Sequence, residues 1–431
     1  MKKIFLSFIF LALLIQQAFA VKLSDALIEA YKENPILNAE RKNIDISKEN
    51  INISKSNFLP SMTITGTKSI EDTSKLTNQS GVSQSVNDVS PLTKTFSIEQ
   101  TLYDGNSREA DLEKNKLGLT LAEVKLLKVE QDILLKAVEA YTGLTLAIKK
   151  LTINKENLNL LSRQIETDKE RLDRGQITIS DLAQSKASFS EAQAKLIEAK
   201  NNLITAKIIY QNIIGSLNSN IFEEEVDIVI NLPNNLDEAN KISESNNPDL
   251  IIAKLDHEQS KQDTQIAEAD LLPKATLLFE ASQSDDLSSS YDRRDKATLK
   301  ATVKWPFYTG GKNRSKISKN RNINLQKRLL LDSVIKTNKA DVANAWSNFE
   351  SSKSLLNAVN SQVKAAKVAN DGIKAEYELG SGRSTLDIIQ SNSILLSAKI
   401  SLANSERNYL LSQFKILKTV GLLNIEYLKI K

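Results

Sequence analysis

Two long stretches of this chain, 92–232 and 307–431, contain no proline, although seven prolines occur elsewhere: Pro35, Pro60, Pro91, Pro233, Pro248, Pro273 and Pro306. Proline lacks the amide hydrogen and clashes with the preceding turn, so it interrupts helices. Its confinement leaves room for two very long helical stretches, and their apolar residues recur every seven positions. Leu112, Leu119, Leu126, Ile133, Ala140 and Ala147 form one such series, and Leu127, Leu134, Tyr141 and Ile148 a second. Leu196, Leu203, Tyr210 and Leu217 repeat the spacing, as do Ile335, Val342, Phe349, Leu356 and Val363, and Ile389, Leu396, Ala403, Leu410 and Leu417. Spacing held over so many heptads specifies coiled-coil packing, since an ordinary amphipathic core helix loses the period sooner. Each stretch is divided once, at Arg174-Gly175 and around Leu379-Gly380-Ser381-Gly382. There one helix ends on glycine and another begins. A helix from Ser107 to Arg174 would run on the order of 100 Å at the helical rise per residue. That length suits a structure that crosses a gap.

The chain also repeats itself. Asn34-Pro35 returns as Asn247-Pro248, and Phe58-Leu59-Pro60 as Leu271-Leu272-Pro273, both 213 residues on. Leu102-Tyr103-Asp104-Gly105 matches Phe307-Tyr308-Thr309-Gly310, and Arg174-Gly175 matches Leu379-Gly380, at an offset of 205. Asp181 matches Asp387, Asn202 matches Asn408 and Gly215 matches Gly421, at 206. Order is kept and the offset hardly drifts, so the chain reads as two copies of one unit. The expected boundaries are 21–217 for the first and 247–431 for the second, with a polar linker over 218–246.

Between Pro60 and Tyr103 the period changes from helical to alternating. Met62, Ile64 and Gly66 alternate with Thr63, Thr65 and Thr67, and Phe96, Ile98, Gln100 and Leu102 with Thr95, Ser97 and Thr101. In the second unit Ala275, Leu277 and Phe279 open a similar run, and Leu299, Ala301, Val303, Trp305 and Phe307 alternate with Thr298, Lys300, Thr302 and Lys304. Strands are expected over 60–70, 93–103, 273–283 and 297–308, with helices over 107–174, 178–217, 312–379 and 384–421. One apolar and one polar face fit either a sheet packed on helices or a transmembrane barrel with lipid outside and a wet lumen. Strands of about ten residues are long enough to cross a tilted bilayer path. Tyr103, Trp305, Phe307 and Tyr308 stand at strand ends, where interfacial aromatics belong. Four strands cannot close a wide barrel alone, so the barrel reading requires several copies of the chain.

Residues 1–20 read as a secretory signal: Lys2 and Lys3, an apolar run from Ile4 to Ile15, then Ala18-Phe19-Ala20. The run is shorter than a membrane span needs. There are no cysteines, which excludes disulfides and thiolate metal sites, and His257 is the single histidine, which leaves no ordinary zinc site. No cofactor is expected. Net charge is +4, with 57 basic residues interleaved among 53 acidic ones, so no basic block marks a nucleic-acid surface. Gly380-Ser381-Gly382 lacks the third glycine and the preceding strand of a dinucleotide loop. Gly310-Gly311-Lys312 lacks the spacing of a phosphate loop. His257 has no evident nucleophile beside it, and catalysis is not expected.

The order helix, strand, polar loop, strand, long helix, glycine turn, helix, met twice, resembles the TolC family of outer-membrane efflux and secretion channels. The marks that carry it are the paired Asn-Pro, the Leu-Pro before each first strand, the Leu/Phe-Tyr-x-Gly after each second strand, and the glycine turns followed by Asp181 and Asp387. The resemblance implies a homotrimer with mixed α and β architecture: a 12-stranded β-barrel, four strands from each subunit, continuous with a periplasmic α-helical coiled-coil barrel. It implies an exit duct in the outer-membrane lipid that works with a periplasmic membrane-fusion adaptor and an inner-membrane transporter. The segments near 71–92 and 284–296 would be external loops, and 218–246 part of a belt around the tunnel. It further implies a latch at the closed tip, in which Asp181 accepts from Tyr377 and Arg383 and Ser180 adds a contact to Arg383. Gly175, Gly380 and Gly382 would make the turns, and Asp387 would form a pore ring. A second ring one turn later would fall on Gln390, which carries no charge. The rival reading is a soluble periplasmic coiled-coil adaptor or scaffold, which ordinarily has one helical hairpin between β modules rather than this order twice.

Overall fold

The computed structural model describes residues 21–71, 76–77, 83–84, 89–216, 222, 228–288, 291–379 and 382–430. The signal segment, Gly380 and parts of the expected loops and linker lie outside these residues. Eight helices are described: α1 (Leu23–Glu33), α2 (Pro35–Ser56), α3 (Ser107–Asp173), α4 (Ile179–Ile213), α5 (Leu236–Asn246), α6 (Pro248–Ala269), α7 (Lys312–Glu378) and α8 (Thr385–Thr419). Their lengths run 11, 22, 67 and 35 residues, then 11, 22, 67 and 35 again. Among the described residues no helix is long and apolar enough to cross a membrane.

The Asn-Pro pairs have a local cause. Asn34 ends α1 and caps α2, its side-chain oxygen accepting from the amides of Ile36 and Leu37 at 3.0 and 3.3 Å. Asn247 does the same between α5 and α6, accepting from Asp249 and Leu250 at 2.9 and 3.2 Å. Proline takes the first helical position in both, where its missing donor costs nothing.

The contacts fall into two compact units. The first comprises Val124–Ile251 and Val334–Lys431 with the N-terminal stretch to Arg41. Its core joins Leu23 and Leu27 of α1, Leu134, Ala137, Val138 and Leu144 of α3, Tyr210 of α4, and Phe414 and Leu417 of α8. Each buried large aliphatic side chain contributes about 1.5–3 kcal/mol. A second cluster sets Val342 and Phe349 of α7 against Ile416 and Val420, with the Phe349 and Tyr409 rings stacked at 5.8 Å. The residues after α8 are not a loose end: Leu423 and Leu428 are buried in the main core, and Ile425 donates its amide to Glu130 at 3.0 Å.

The second unit comprises Lys42–Glu123 and Ile252–Ser333. It holds an antiparallel sheet of β1 (Ser61–Lys68), β4 (Leu92–Tyr103), β5 (Lys274–Ser288) and β6 (Tyr291–Lys304), in that spatial order, while β2 (Leu76–Thr77) pairs with β3 (Ser83–Gln84). The register aligns Ile64, Phe96 and Ala281 across three strands, and Met62, Ile98, Phe279 and Leu299 across four. The expected external loop over 284–296 is corrected here. Ser284 pairs with Arg294, Asp285 with Arg293 and Ser288 with Tyr291, so the strands run almost to the hairpin tip. Polar contacts replace apolar alternation there: Thr93 and Ser284 hydroxyls meet at 3.0 Å, and Arg293 lies 3.2 Å from Asp295. An apolar period cannot register such pairs.

Candidate functional site

The first candidate site lies where the long helices turn. α3 closes on a left-handed glycine: Gly175 has φ 68°, its amide reaches the carbonyl of Leu172, and the Gln176 amide reaches that of Arg171 at 2.8 Å. These two bonds satisfy carbonyls the helix end would otherwise orphan. Thr178 then starts α4 with a capping box, its hydroxyl accepting from the Asp181 amide at 3.2 Å while Asp181 accepts from the Thr178 amide at 2.9 Å. Gly382, at φ 80°, precedes the matching box of Ser384 and Asp387, with the same two distances. The amide donated by Thr178 holds the Asp181 carboxyl below the usual carboxylate range, and the Ser384 amide does the same for Asp387.

Between these turns lies a buried polar network. Asp168 of α3 is fully buried, at 0% exposure. One of its oxygens accepts from Gln164 and from the Tyr377 hydroxyl, each at 2.9 Å, and the other accepts from Ser185 of α4. The Tyr377 hydroxyl also meets that of Thr385 at 3.2 Å. Arg171 donates to the Tyr377 carbonyl at 2.8 Å and lies over its ring at 4.0 Å. One carboxylate thus links α3, α4 and α7, and through Tyr377 reaches the start of α8. Deeper in the second hairpin, Asn370 donates to Ser391 and Asn392 at 2.8 and 2.7 Å.

This geometry corrects the pairings expected from the sequence. Tyr377 donates to Asp168 and not to Asp181, because Asp181 is committed to its own cap. Arg383 pairs with Glu376, one helical turn and a loop away, at 2.6 Å. Ser180 is exposed on the first turn of α4 without a bond to Arg383, and Gln390 is exposed one turn after Asp387. The sequence reading missed Asp168 altogether.

The second candidate site is the sheet. Its apolar face is open: Ile64 is 81% exposed, Leu299 70% and Val303 72%, and Met62 shares that exposure. Tyr103, Trp305, Phe307 and Tyr308 are all exposed at or just past the strand ends, with the Trp305 ring nitrogen donating to the Leu271 carbonyl at 3.0 Å. Among the described residues neither outer edge, β1 or β6, has a further strand partner, and no group of three or more metal-binding side chains occurs.

The comparisons decide the family. The model for outer membrane efflux proteins matches residues 26–216 and 241–422. The chain belongs to the outer membrane efflux protein family. It is 27% identical to outer membrane efflux protein BepC of Brucella suis biovar 1, over 96% of this chain and 88% of that one. It is 24% identical to outer membrane protein TolC of Escherichia coli, over 77% and 69%. The solved structure of CusC shares the fold with a TM-score of 0.81 at 15% identity, covering 94% of each chain. As a member of this channel and transport family, the chain is an outer-membrane exit duct for efflux or secretion, and the soluble adaptor reading is set aside.

Proposed function

We propose that three copies of this efflux protein close edge to edge into one 12-stranded barrel in outer-membrane lipid, and that the helices form a periplasmic tunnel passing solutes passively from an adaptor and inner-membrane transporter. The observation that carries this reading is the sheet itself. Among the described residues it has two unpartnered edges and a wide apolar face on which Ile64, Leu299 and Val303 stand exposed. Open edges and exposed apolar area of this kind are liabilities in water, and both disappear when copies pair β6 to β1 within a bilayer. The four exposed aromatics at the strand ends suit the interface between hydrocarbon and water. The two runs of equal helix lengths support descent from two copies of one unit. No step requires catalysis: the chain positions a pore and bonds are neither made nor broken.

The helix turns are the proposed gate, with the Tyr377–Asp168 bond and the Arg171–Tyr377 contact as the latch between the two helical hairpins. Ser180, Asp181 and Arg383 surround it, and Asp387, repeated in each copy, places a carboxylate ring that favours cations. The duct is tested by reconstituting the purified chain in planar bilayers and cross-linking it in detergent. Discrete conductance steps and a trimeric cross-linked band are expected. Protein that stays soluble without detergent and gives no conductance refutes the duct.

A further inference from the structure

On the polar face of the sheet the unpaired cations gather on β6, at one edge. Residues paired directly across antiparallel strands share a face. Thr65, Thr95, Ser282 and Lys296 align in this way, as do Thr63, Ser97, Glu280 and Thr298 in the next row. Ser61, Glu99, Leu278 and Lys300 make the row after that, and Lys274 pairs with Lys304. Side chains alternate along a strand, so Arg294, Lys296, Lys300 and Lys304 of β6 all stand on this face. β1 answers them only with Ser61, Thr63, Thr65 and Thr67. Among the residues whose side chains are described, the carboxylates paired into these rows are Glu280 on β5 and Glu99 on β4, while Lys274 is neutralised by Asp270 at 3.1 Å. Among the described residues none of the four β6 cations is in an ion pair. Arg293 and Asp295 belong to the opposite face and pair with each other.

We propose that this row of Arg294, Lys296, Lys300 and Lys304 is a cationic lane along the barrel wall that favours anionic solutes in transit. The proposal rests on the reading above that the polar face lines the lumen. Glu280 lies diagonally across from Lys300 and Lys296, at roughly 7–8 Å, and screens them in part. Lys304, which pairs with Lys274, has no such neighbour among the described residues. Pairing β6 to the β1 of the next copy sets the lane beside a neutral strand, and threefold repetition puts three lanes around one water-filled channel. A wall of one sign bordering low dielectric concentrates counter-charged solute. The ion preference of the duct is therefore set by two filters of opposite sign, this lane and the Asp387 carboxylates.

The chain has no cysteine, so Thr298→Cys, between Lys296 and Lys300, supplies a single thiol. Its rates of modification by anionic and cationic methanethiosulfonates of similar size are measured on the full chain in liposomes and normalised to a free thiol. Conductance of the same protein is recorded in parallel. The anionic-to-cationic rate ratio is expected to fall about three- to tenfold when Lys296, Lys300 and Lys304 are replaced by glutamine, and to collapse likewise in ~1 M salt. A ratio the three substitutions leave unchanged, or a thiol silent to both reagents in protein that conducts, overturns the lane while leaving the duct standing. Protein that does not conduct at all removes the duct, and the lane with it.

Discussion

Among the described residues, Tyr377 is the partner of Asp168 that lies on the other hairpin, because Gln164 and Ser185 lie on the first hairpin with it; the Arg171 bond to the Tyr377 carbonyl crosses beside it. Separating the hairpins breaks this bond and exposes or orphans both partners. A hydrogen bond to a charged group contributes about 1.5–3 kcal/mol. Asp168 is fully buried, so solvent screening does not discount the figure. Tyr377→Phe removes the bond alone: the ring stays beneath Arg171, and Asp168 keeps Gln164 and Ser185, so the hairpins still fold. At about 2 kcal/mol the closed state loses roughly 30-fold in population relative to the open state in each subunit. Single-channel recording of purified Tyr377→Phe should therefore show openings that are far longer or larger than those of the native chain. Asp181→Ala serves as the comparison, since it unmakes an exposed capping box and costs about 1 kcal/mol of local helix stability. Its conductance should match the native chain. Native-like conductance in Tyr377→Phe beside enlarged openings in Asp181→Ala would refute the reasoning and return the latch to Asp181.

Three further outcomes follow from local structure. The caps on Asp181 and Asp387 hold both carboxyls below their ordinary range, so the stability they lend is present above the unfolded pKa and lost as pH falls through the lowered folded one. Protection factors for amide exchange, taken relative to the intrinsic rate at each pH, should fall at the first turns of α4 and α8 on acidification below about pH 4, and Thr178→Val should shift the onset for α4 upward. Gly421 takes φ 83°, and an added Cβ would stand 2.1 Å from the carbonyl oxygen of Asn246. Gly421→Ala should cost more than ~3 kcal/mol and lower the melting temperature sharply, whereas Gly175→Ala, with open space around it, should cost only about 1–2 kcal/mol. Burial raises the Glu130 carboxyl above its usual range while it accepts from Ile425. Ionising it costs folded-state stability as pH rises through that raised value, so Glu130→Gln, which keeps the acceptor, should melt higher than the native chain at pH 7 and equally at pH 4.

The long helices were legible because proline and heptad spacing are strong, local and redundant signals. The same register, carried further than the apolar residues alone invite, also reaches the residues of the proposed latch. Seven-residue steps from Ala147 fall on Asn154, Leu161 and Asp168, and all four are buried. Steps from Val363 fall on Asn370 and Tyr377, both buried as well. A charged residue on a heptad core position reads as a solvated face only if its register is ignored, since burying an unpaired carboxylate is costly and demands donors. Asp168 finds those donors on helices far apart in sequence, Ser185 at 17 residues and Tyr377 at 209, and no spacing rule reaches that far. The same limit applies at Ser284, whose hydroxyl meets that of Thr93 on the neighbouring strand. The cost of a buried polar residue at a core position fixes that it must have partners, and the fold alone fixes which ones. The proposed latch sits inside the core around the buried Asp168 and Tyr377, and the charges beside it at Asp181 and Arg383 are left with local caps and pairs.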